Sequence, residues 1–353
     1  MFSDNIMSKI LTIIVPSYNM EKYLERGMES LILNTNLMKQ LEIIIVNDGS
    51  TDKTSEIAHN FEKKYKETFK VIDKRNGNYG SCINEGLNVA NGIFVKILDA
   101  DDVFITKNFE RFIVELIKSE SCNEKVDMFF MDYHIKNDEY QNTKKYRQKI
   151  IENQVININS KNQKILFSGI QHHCIAYRTS VLRKMGYKQT EGISYTDQEW
   201  ITIPLLNVKR IKYIPVDVYE YFRGREGQTM DKSIIAKSVN AHTKIGETLI
   251  NEYCTKKNNT SACNREIVKD RIIAYYAYIY REFLIVNVSK KSEKMIKQAD
   301  DTLYNKDREI YAELDKVVFS NKICIKFIKI WRNNQKSILL HMFQAVYRLT
   351  HKS

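Results

Sequence analysis

Apolar positions in the first hundred residues come in short continuous runs rather than in alternation. Leu11–Val15 is stopped by Pro16, and Glu42–Val46 runs into Asn47-Asp48-Gly49-Ser50. Phe69–Asp73 precedes the Arg75–Gly80 loop, and Gly92–Leu98 ends at Asp99-Ala100-Asp101-Asp102. Runs of this kind predict strands buried on both faces, as in a parallel sheet. Between them the spacing predicts helices over Glu21–Met38, from about Asp52 to Tyr65 with Ser50 or Thr51 as its cap, and over Asn84–Ala90. Helices over Phe104–Lys118 and through Leu206 follow. This rhythm predicts an α/β, Rossmann-like fold, a mostly parallel sheet flanked by helices. In such sheets ligands bind beyond the carboxyl ends of the strands, and each distinctive polar cluster falls there. After about residue 231 only helical spacing remains, over 234–253, 264–288, 293–303 and 310–319. The expected division is residues 1–231 and a helical C-terminal region, 232–353.

Composition narrows the class. A chain of 353 residues with 43% hydrophobic and 28% charged residues suits two ordered domains. The six cysteines, at 82, 122, 174, 254, 263 and 324, show no metal-knuckle or redox spacing, which suits reduced thiols in a cytosolic protein. The N-terminal apolar run leads straight into a strand, so no secretory leader is expected, and no run approaches a membrane span. The net charge is +12, and from Lys316 onward there are eight Lys/Arg and no Asp or Glu. The tail segments 323–332 and 337–349 alternate cationic and apolar positions. That pattern suits an anionic membrane surface, with the protein cytoplasmic or peripheral on the inner face, or else a docked helix with a solvated lysine face. No nucleic-acid recognition motif accompanies the charge, so no nucleic-acid partner is expected.

Asp99, Asp101 and Asp102 repel one another unless a cation joins them, and hard oxygen ligands favour Mg²⁺ or Mn²⁺. A helix-capping loop is the alternative. Asp48 either accepts hydrogen bonds from a base or ribose, or merely belongs to an Asn-Asp-Gly turn. The glycines of 75–80 allow close backbone approach.

In order and spacing, Val15-Pro-Ser-Tyr-Asn19, Val46-Asn-Asp-Gly-Ser-Thr-Asp52 and Leu98-Asp-Ala-Asp-Asp102 resemble the successive signatures of family-2 glycosyltransferases with the GT-A fold. The resemblance extends from about residue 10 to 225, the first hundred closely. It implies a hexosyl- or N-acetylhexosaminyl-transferase using a nucleotide-sugar donor, most often a UDP-sugar, with Mn²⁺ or Mg²⁺. It also implies a glycan, lipid-linked or polymer acceptor in bacterial surface-glycan synthesis. Carried over, Pro16 and Tyr18 border the nucleotide, Asp48 contacts the base, Asn76 lies near the nucleotide, Asp99 approaches ribose or sugar, and Asp101 ligates the metal.

The match loosens further on. Where many members carry Glu-Asp at a helix start, this chain has Thr196-Asp197, which makes Asp197 the expected general base and Glu199 the reserve. Either Thr196 or Asp197 is alternatively a helix cap, and a helix start would lower the Asp197 pKa. His172 and His173 are candidates for metal or acceptor hydroxyls, or for structural roles. Arg223 and Arg225, in a Tyr-x-Tyr-Arg-like segment, are candidates for the acceptor or the diphosphate, or for surface ion pairs. Competing functions are a sugar nucleotidyltransferase, which usually has a glycine-rich loop where Pro16–Asn19 stands, and a non-catalytic subunit retaining the fold.

Overall fold

The computed structural model describes residues 9–137, 142–147, 151–159, 167, 170–224, 228, 231–318, 325–333, 344 and 345. The chain forms two compact units, Met1–Gln228 and Thr229–Ser353. The first contains β1 (Leu11–Ser17), β2 (Leu41–Asn47), β3 (Phe69–Asp73), β4 (Phe94–Ile97), β5 (Val103–Phe104), β6 (Met128–Asn137), β7 (Asn142–Tyr146), β8 (Val155–Asn157), β9 (Ile175–Arg178) and β10 (Arg210–Arg223). They make one sheet in the order β3-β2-β1-β4-β9-β6-β10-β5, with β7 on β6 and β8 on β10.

The first four strands pair in parallel, Ile13 opposite Ile43 and Ile14 opposite Ile97. β1 and β2 are buried along their whole length, the reason their apolar residues run continuously. The strand β1 does not stop at Pro16 but continues to Ser17. Pro16 faces the β4 side, where the last bond is Leu98 N to Ile14 O, so its missing N–H costs no ladder bond.

The second half of the sheet differs in kind. β9 lies antiparallel between β4 and β6, while β6 and β10 run parallel to each other over most of their length. β6 begins as a buried apolar run, Met128–Met131, and ends in alternation, Asp132 to Lys136. That change of period obscures it in the sequence.

The helix expected over 21–38 is two short ones, Leu24–Glu29 and Thr35–Met38. Ser30 turns its hydroxyl onto Gly27 O, and Asn34 caps the second helix by accepting from Leu37 N. The next helix starts at Thr54, not Asp52. Ser50 and Thr51 do not cap it: both are engaged by Asn19, and Asp52 Oδ1 accepts from Thr54 N instead. The third helix is Asn78–Val89, six residues longer at its start than expected because Gly77–Tyr79 turn directly into it.

The second unit is helical: Lys232–Ile235, Val239–Lys256, Ala262–Arg281 running into a π-helical turn Glu282–Val286, Lys290–Lys306, Arg308–Leu314 and Phe327–Asn333. Ser289 and Ser292 form a reciprocal capping box. In the last of these helices Phe327, Ile328 and Trp331 are buried, and Arg332 donates to Asp300 and Asp315 and to Tyr311 O. This part of the basic tail is therefore a docked helix whose apolar side is already packed. The expected tail segment 337–349 lies outside the described residues, apart from Gln344 and Ala345. Among the described residues no helix is long and apolar enough to cross a membrane.

On the β6–β10 pair, His134 is clamped between carboxylates, Nδ1 3.0 Å from Asp217 Oδ2 and Nε2 2.5 Å from Glu220 Oε2. Those two bonds raise its pKa to about 9. A pKa raised above the ordinary imidazole value gives stability that is complete below about pH 6.5 and lost as pH rises through about 9. We expect denaturant titrations to show stability declining across that window. In His134→Gln the slope should vanish, with a loss on the order of 2 kcal/mol at pH 6.

Candidate active site

The acidic run sits where β4 ends. The chain turns immediately, Asp102 N donating to Asp99 O at 3.0 Å, and β5 then pairs with Tyr219 and Glu220 of β10. The Tyr219 hydroxyl accepts from Asp99 N (3.1 Å) and donates to Asp102 Oδ2 (2.7 Å), while Phe222 N donates to Asp102 Oδ1 (2.8 Å). Asp102 is wholly buried. Burial first, then the neighbouring charges of Asp101 and Asp99, push its pKa well above the carboxylate range. It is the anchor of the turn, with both oxygens committed. Asp101 is less enclosed: its carbonyl accepts from Arg26 (2.9 Å), and its carboxylate lies 3.4 Å from the amide of Gln228.

Asp99 is the hub. Tyr79, in the first turn of Asn78–Val89, donates to its Oδ1 at 2.8 Å, and His172 Nε2 donates to Oδ2 at 3.0 Å. His172 belongs to a 3₁₀ turn, His172–Cys174, leading into β9. Burial favours the neutral form of each partner, but their mutual attraction and hydrogen bond outweigh it, lowering the Asp99 pKa and raising that of His172. His173 is different: burial, with His172 and Lys96 beside it, drives its pKa well down, and its ring packs against those of Tyr133, Tyr219 and Tyr221. Among the described residues, both ring nitrogens of His173 and Nδ1 of His172 are buried without a hydrogen-bond partner.

Asp197 opens a one-turn helix, Asp197–Trp200, and comes within electrostatic reach of Asp99, His172 and Tyr79. Its pKa is raised, mainly by burial and further by Asp99, with His172 acting against. The helix-start expectation of a lowered pKa is thus reversed, because one turn supplies little dipole while burial acts fully. Glu199, the reserve base, is fully buried, its two oxygens taking the amide (2.7 Å) and hydroxyl (2.7 Å) of Thr190. It is an anchor for the turn at 189–191, not an open carboxylate.

At the ends of β1 to β3, Asp48 Oδ1 accepts from Lys74 Nζ (2.7 Å) and Gly77 N (2.9 Å), and Asn76 Nδ2 donates to Asp48 O at 3.1 Å. Asp48 and Asn76 are thereby brought together into one loop cluster. Pro16 lies within the buried stretch of β1, which ends at Ser17, and Tyr18 after it is 47% exposed. A Cβ on Gly80 would lie 2.1 Å from Thr190 O, so the helix carrying Tyr79 touches the Thr190 turn backbone to backbone. Arg223, at the end of β10, is exposed, its guanidinium 6.0 Å from the Tyr221 ring. Arg225 lies outside the described residues.

Sequence reading missed Tyr79, Tyr219 and Lys96. Tyr79 had a signal, being the one aromatic side chain in a glycine-containing loop. Lys96 had another, as a lone cation within an apolar strand.

The donor set fits a divalent cation. One ligand atom each of Asp99, His172 and His173 lies within 4.8 Å of the others, while Asp102 adds none because both its oxygens are committed. The partnerless imidazole nitrogens add donors that Mn²⁺ accepts more readily than Mg²⁺.

Comparison with known proteins agrees with this geometry. Residues 12–186 match the family model of glycosyl transferase family 2. The uncharacterized glycosyltransferase MG025 homolog of Mycoplasma pneumoniae is 35% identical over 104 residues, 29% of this chain and 34% of that protein. The minor teichoic acid biosynthesis protein GgaB of Bacillus subtilis is 36% identical over 99 residues, 28% of this chain and 11% of its own length. The chain therefore spans about a third or less of these curated relatives. Among solved structures, S. aureus TarS 1-349 in complex with UDP-GlcNAc matches with a TM-score of 0.68 at 17% identity, over 97% of this chain and 92% of that one. The fold is the GT-A fold of such glycosyltransferases.

Removing the Asp102 anchor should be costly only when the acceptors go with it. Asp102→Ala strands the Tyr219 hydroxyl and Phe222 N–H and is expected to lose about 2–4 kcal/mol in chemical denaturation. The neutral isostere Asp102→Asn should lose about 1 kcal/mol or less.

Proposed function

Residues 12–186 belong to glycosyl transferase family 2, and on that premise we propose that this chain transfers a sugar from a UDP-sugar to a hydroxyl of a surface-glycan or polymer acceptor, with inversion. The observation that carries the proposal is Asp197. A carboxylate from the second half of the unit is held beside Asp99 and His172 with its proton affinity raised, as a general base requires.

The nucleotide side is the cluster at the ends of β1 to β3: Pro16, Tyr18, Asp48 and Asn76, with Asp99 toward the ribose and sugar. Asp101 would hold the divalent cation, which when bound would offset the charge growing on the departing diphosphate. Asp197 takes the proton of the acceptor hydroxyl as its oxygen bonds to the anomeric carbon. The bond from that carbon to the diphosphate oxygen breaks, its electron pair leaving with the nucleotide. Attack from the opposite face inverts the centre. Tyr79 and His172 fix the Asp99 carboxylate in place, and His172 also tempers the field that Asp99 exerts on Asp197. The donor proposed first is UDP-GlcNAc, bound by the TarS relative of like fold. An acceptor of teichoic-acid type follows from the name of GgaB. Arg223 and Arg225 remain candidates for the diphosphate or an anionic acceptor.

A panel of nucleotide-sugars tested for Mn²⁺-dependent binding by calorimetry and for slow hydrolysis checks the donor. One UDP-sugar should bind and be hydrolysed by wild type, and Asp101→Ala should lose about 10²-fold or more in turnover. No binding by any nucleotide-sugar would sink the reading.

The base makes a separate prediction. Because its pKa is raised, Asp197 loses its charge at a higher pH than an ordinary aspartate. Transfer should therefore fall as pH drops through a midpoint above about 4 and level off above it. Asp197→Asn should abolish that limb, lower kcat roughly 10²- to 10⁴-fold and leave donor binding within about threefold.

A further inference from the structure

Lys96 is the one buried cation of the site to which the mechanism above gives no part. It lies on β4, three residues before Asp99, with no exposed surface. Among the described residues it forms no ion pair with a carboxylate. Its Nζ donates instead to two main-chain carbonyls, His173 O at 2.5 Å and Ile175 O at 3.2 Å. The rings of Phe104 and Tyr219 lie 5.6 and 5.4 Å from the ammonium. Burial lowers its pKa to about 7, with Asp99 and Cys174 acting against.

A desolvated ammonium costs several kcal/mol, and an apolar side chain of the same length would fill the space without that cost. What an apolar chain cannot do is gather carbonyls. The two that Lys96 holds bracket Cys174, at the junction between the 3₁₀ turn His172–Cys174 and β9. The compact tip of lysine, with three donors, suits such a pair. The turn so held carries His172, whose Nε2 reaches Asp99.

We propose that Lys96 is a positioning residue for the transfer reaction: its ammonium fixes the His172–Cys174 turn so that His172 stands against Asp99. The proposal rests on the transferase reading for its kinetic consequence, but its geometric content is independent of it.

The test uses Lys96→Met, His172→Gln and the double variant of the full chain, assayed with the donor that wild type hydrolyses. Lys96→Met should lower kcat roughly 10- to 100-fold with the donor KM within about threefold, since a misplaced group slows turnover more than it weakens binding. The double variant should be no slower than about the worse single, because both changes remove one arrangement. A Lys96→Met enzyme within about twofold of wild type, or losses that multiply, would overturn the proposal. Lys96→Gln keeps an amide donor for the carbonyls and should retain more activity than Met; it also carries the test if the Met variant does not fold. Imidazole ¹⁵N NMR of His172 separates the two ideas. If wild type turns over no nucleotide-sugar, the transferase reading alone fails. A His172 resonance shifted by Lys96→Met then still supports positioning, and an unchanged one overturns it.

Discussion

The site depends on one phenol. The Tyr219 hydroxyl is bonded on one side to the backbone of Asp99 and on the other to the side chain of Asp102, so it joins the end of β4 to β10 across 120 residues of chain. Without that join, the acidic turn would be tied to β10 only by Phe222 N on Asp102 and by the short β5 pairing. The phenol can serve both partners because a hydroxyl carries one donor and two acceptor sites. Burial and the charges of Asp101 and Asp99 raise the Asp102 pKa, while the bonds from Phe222 N and Tyr219 act against. The constraint is electrostatic as much as steric.

What remains is an unequal distribution of charge around Asp99. His172 faces it directly, Tyr79 gives it a neutral hydrogen bond, and Lys96 lies beneath without touching it. Asp197 feels both members of the Asp99–His172 pair with opposite sign, so burial decides its proton affinity. This arrangement keeps one carboxylate charged and another basic within a single enclosed cluster. Similar groups gain opposite tendencies from their neighbours alone.

The first half of the unit was legible because β1, β2 and β4 are buried along their whole length, and continuous apolar runs carry that information in themselves. Phe69–Asp73 could be read to the residue, and the acidic run at the end of β4 could be read as a site. The second half was not legible in the same way. β6 and β10 pair with partners far off in sequence. β6 passes from continuous apolar residues to mixed polar and apolar ones, and β10 mixes the two throughout, so no single local period marks them. Asp197 could be found only by family resemblance, and its raised pKa not at all, since that arises from burial and from the charge of Asp99. The helix expected at 21–38 failed for a local reason: Ser30 and Asn34 satisfy backbone groups with their own side chains and break a pattern that spacing alone supports.

The two halves also divide the work. The parallel strands place Asp48, Asn76 and Asp99 on short loops at one end of a sheet in which β1, β2 and β4 are wholly buried. The antiparallel insertion of β9 between β4 and β6 then brings the His172–Cys174 turn and the Thr190–Asp197 segment over the same edge. The contact of Gly80 with Thr190 O, and of Asn84 with Gln189 and Glu191, fastens that segment to the helix bearing Tyr79. Glu199 belongs to this fastening, which is why its carboxylate is spent on Thr190. Asp197, two residues earlier, is the acid left facing the site. Two residues are about 200° of helical rotation, so the two carboxylates leave this turn on different sides, and the anchoring of Glu199 holds the backbone that carries Asp197.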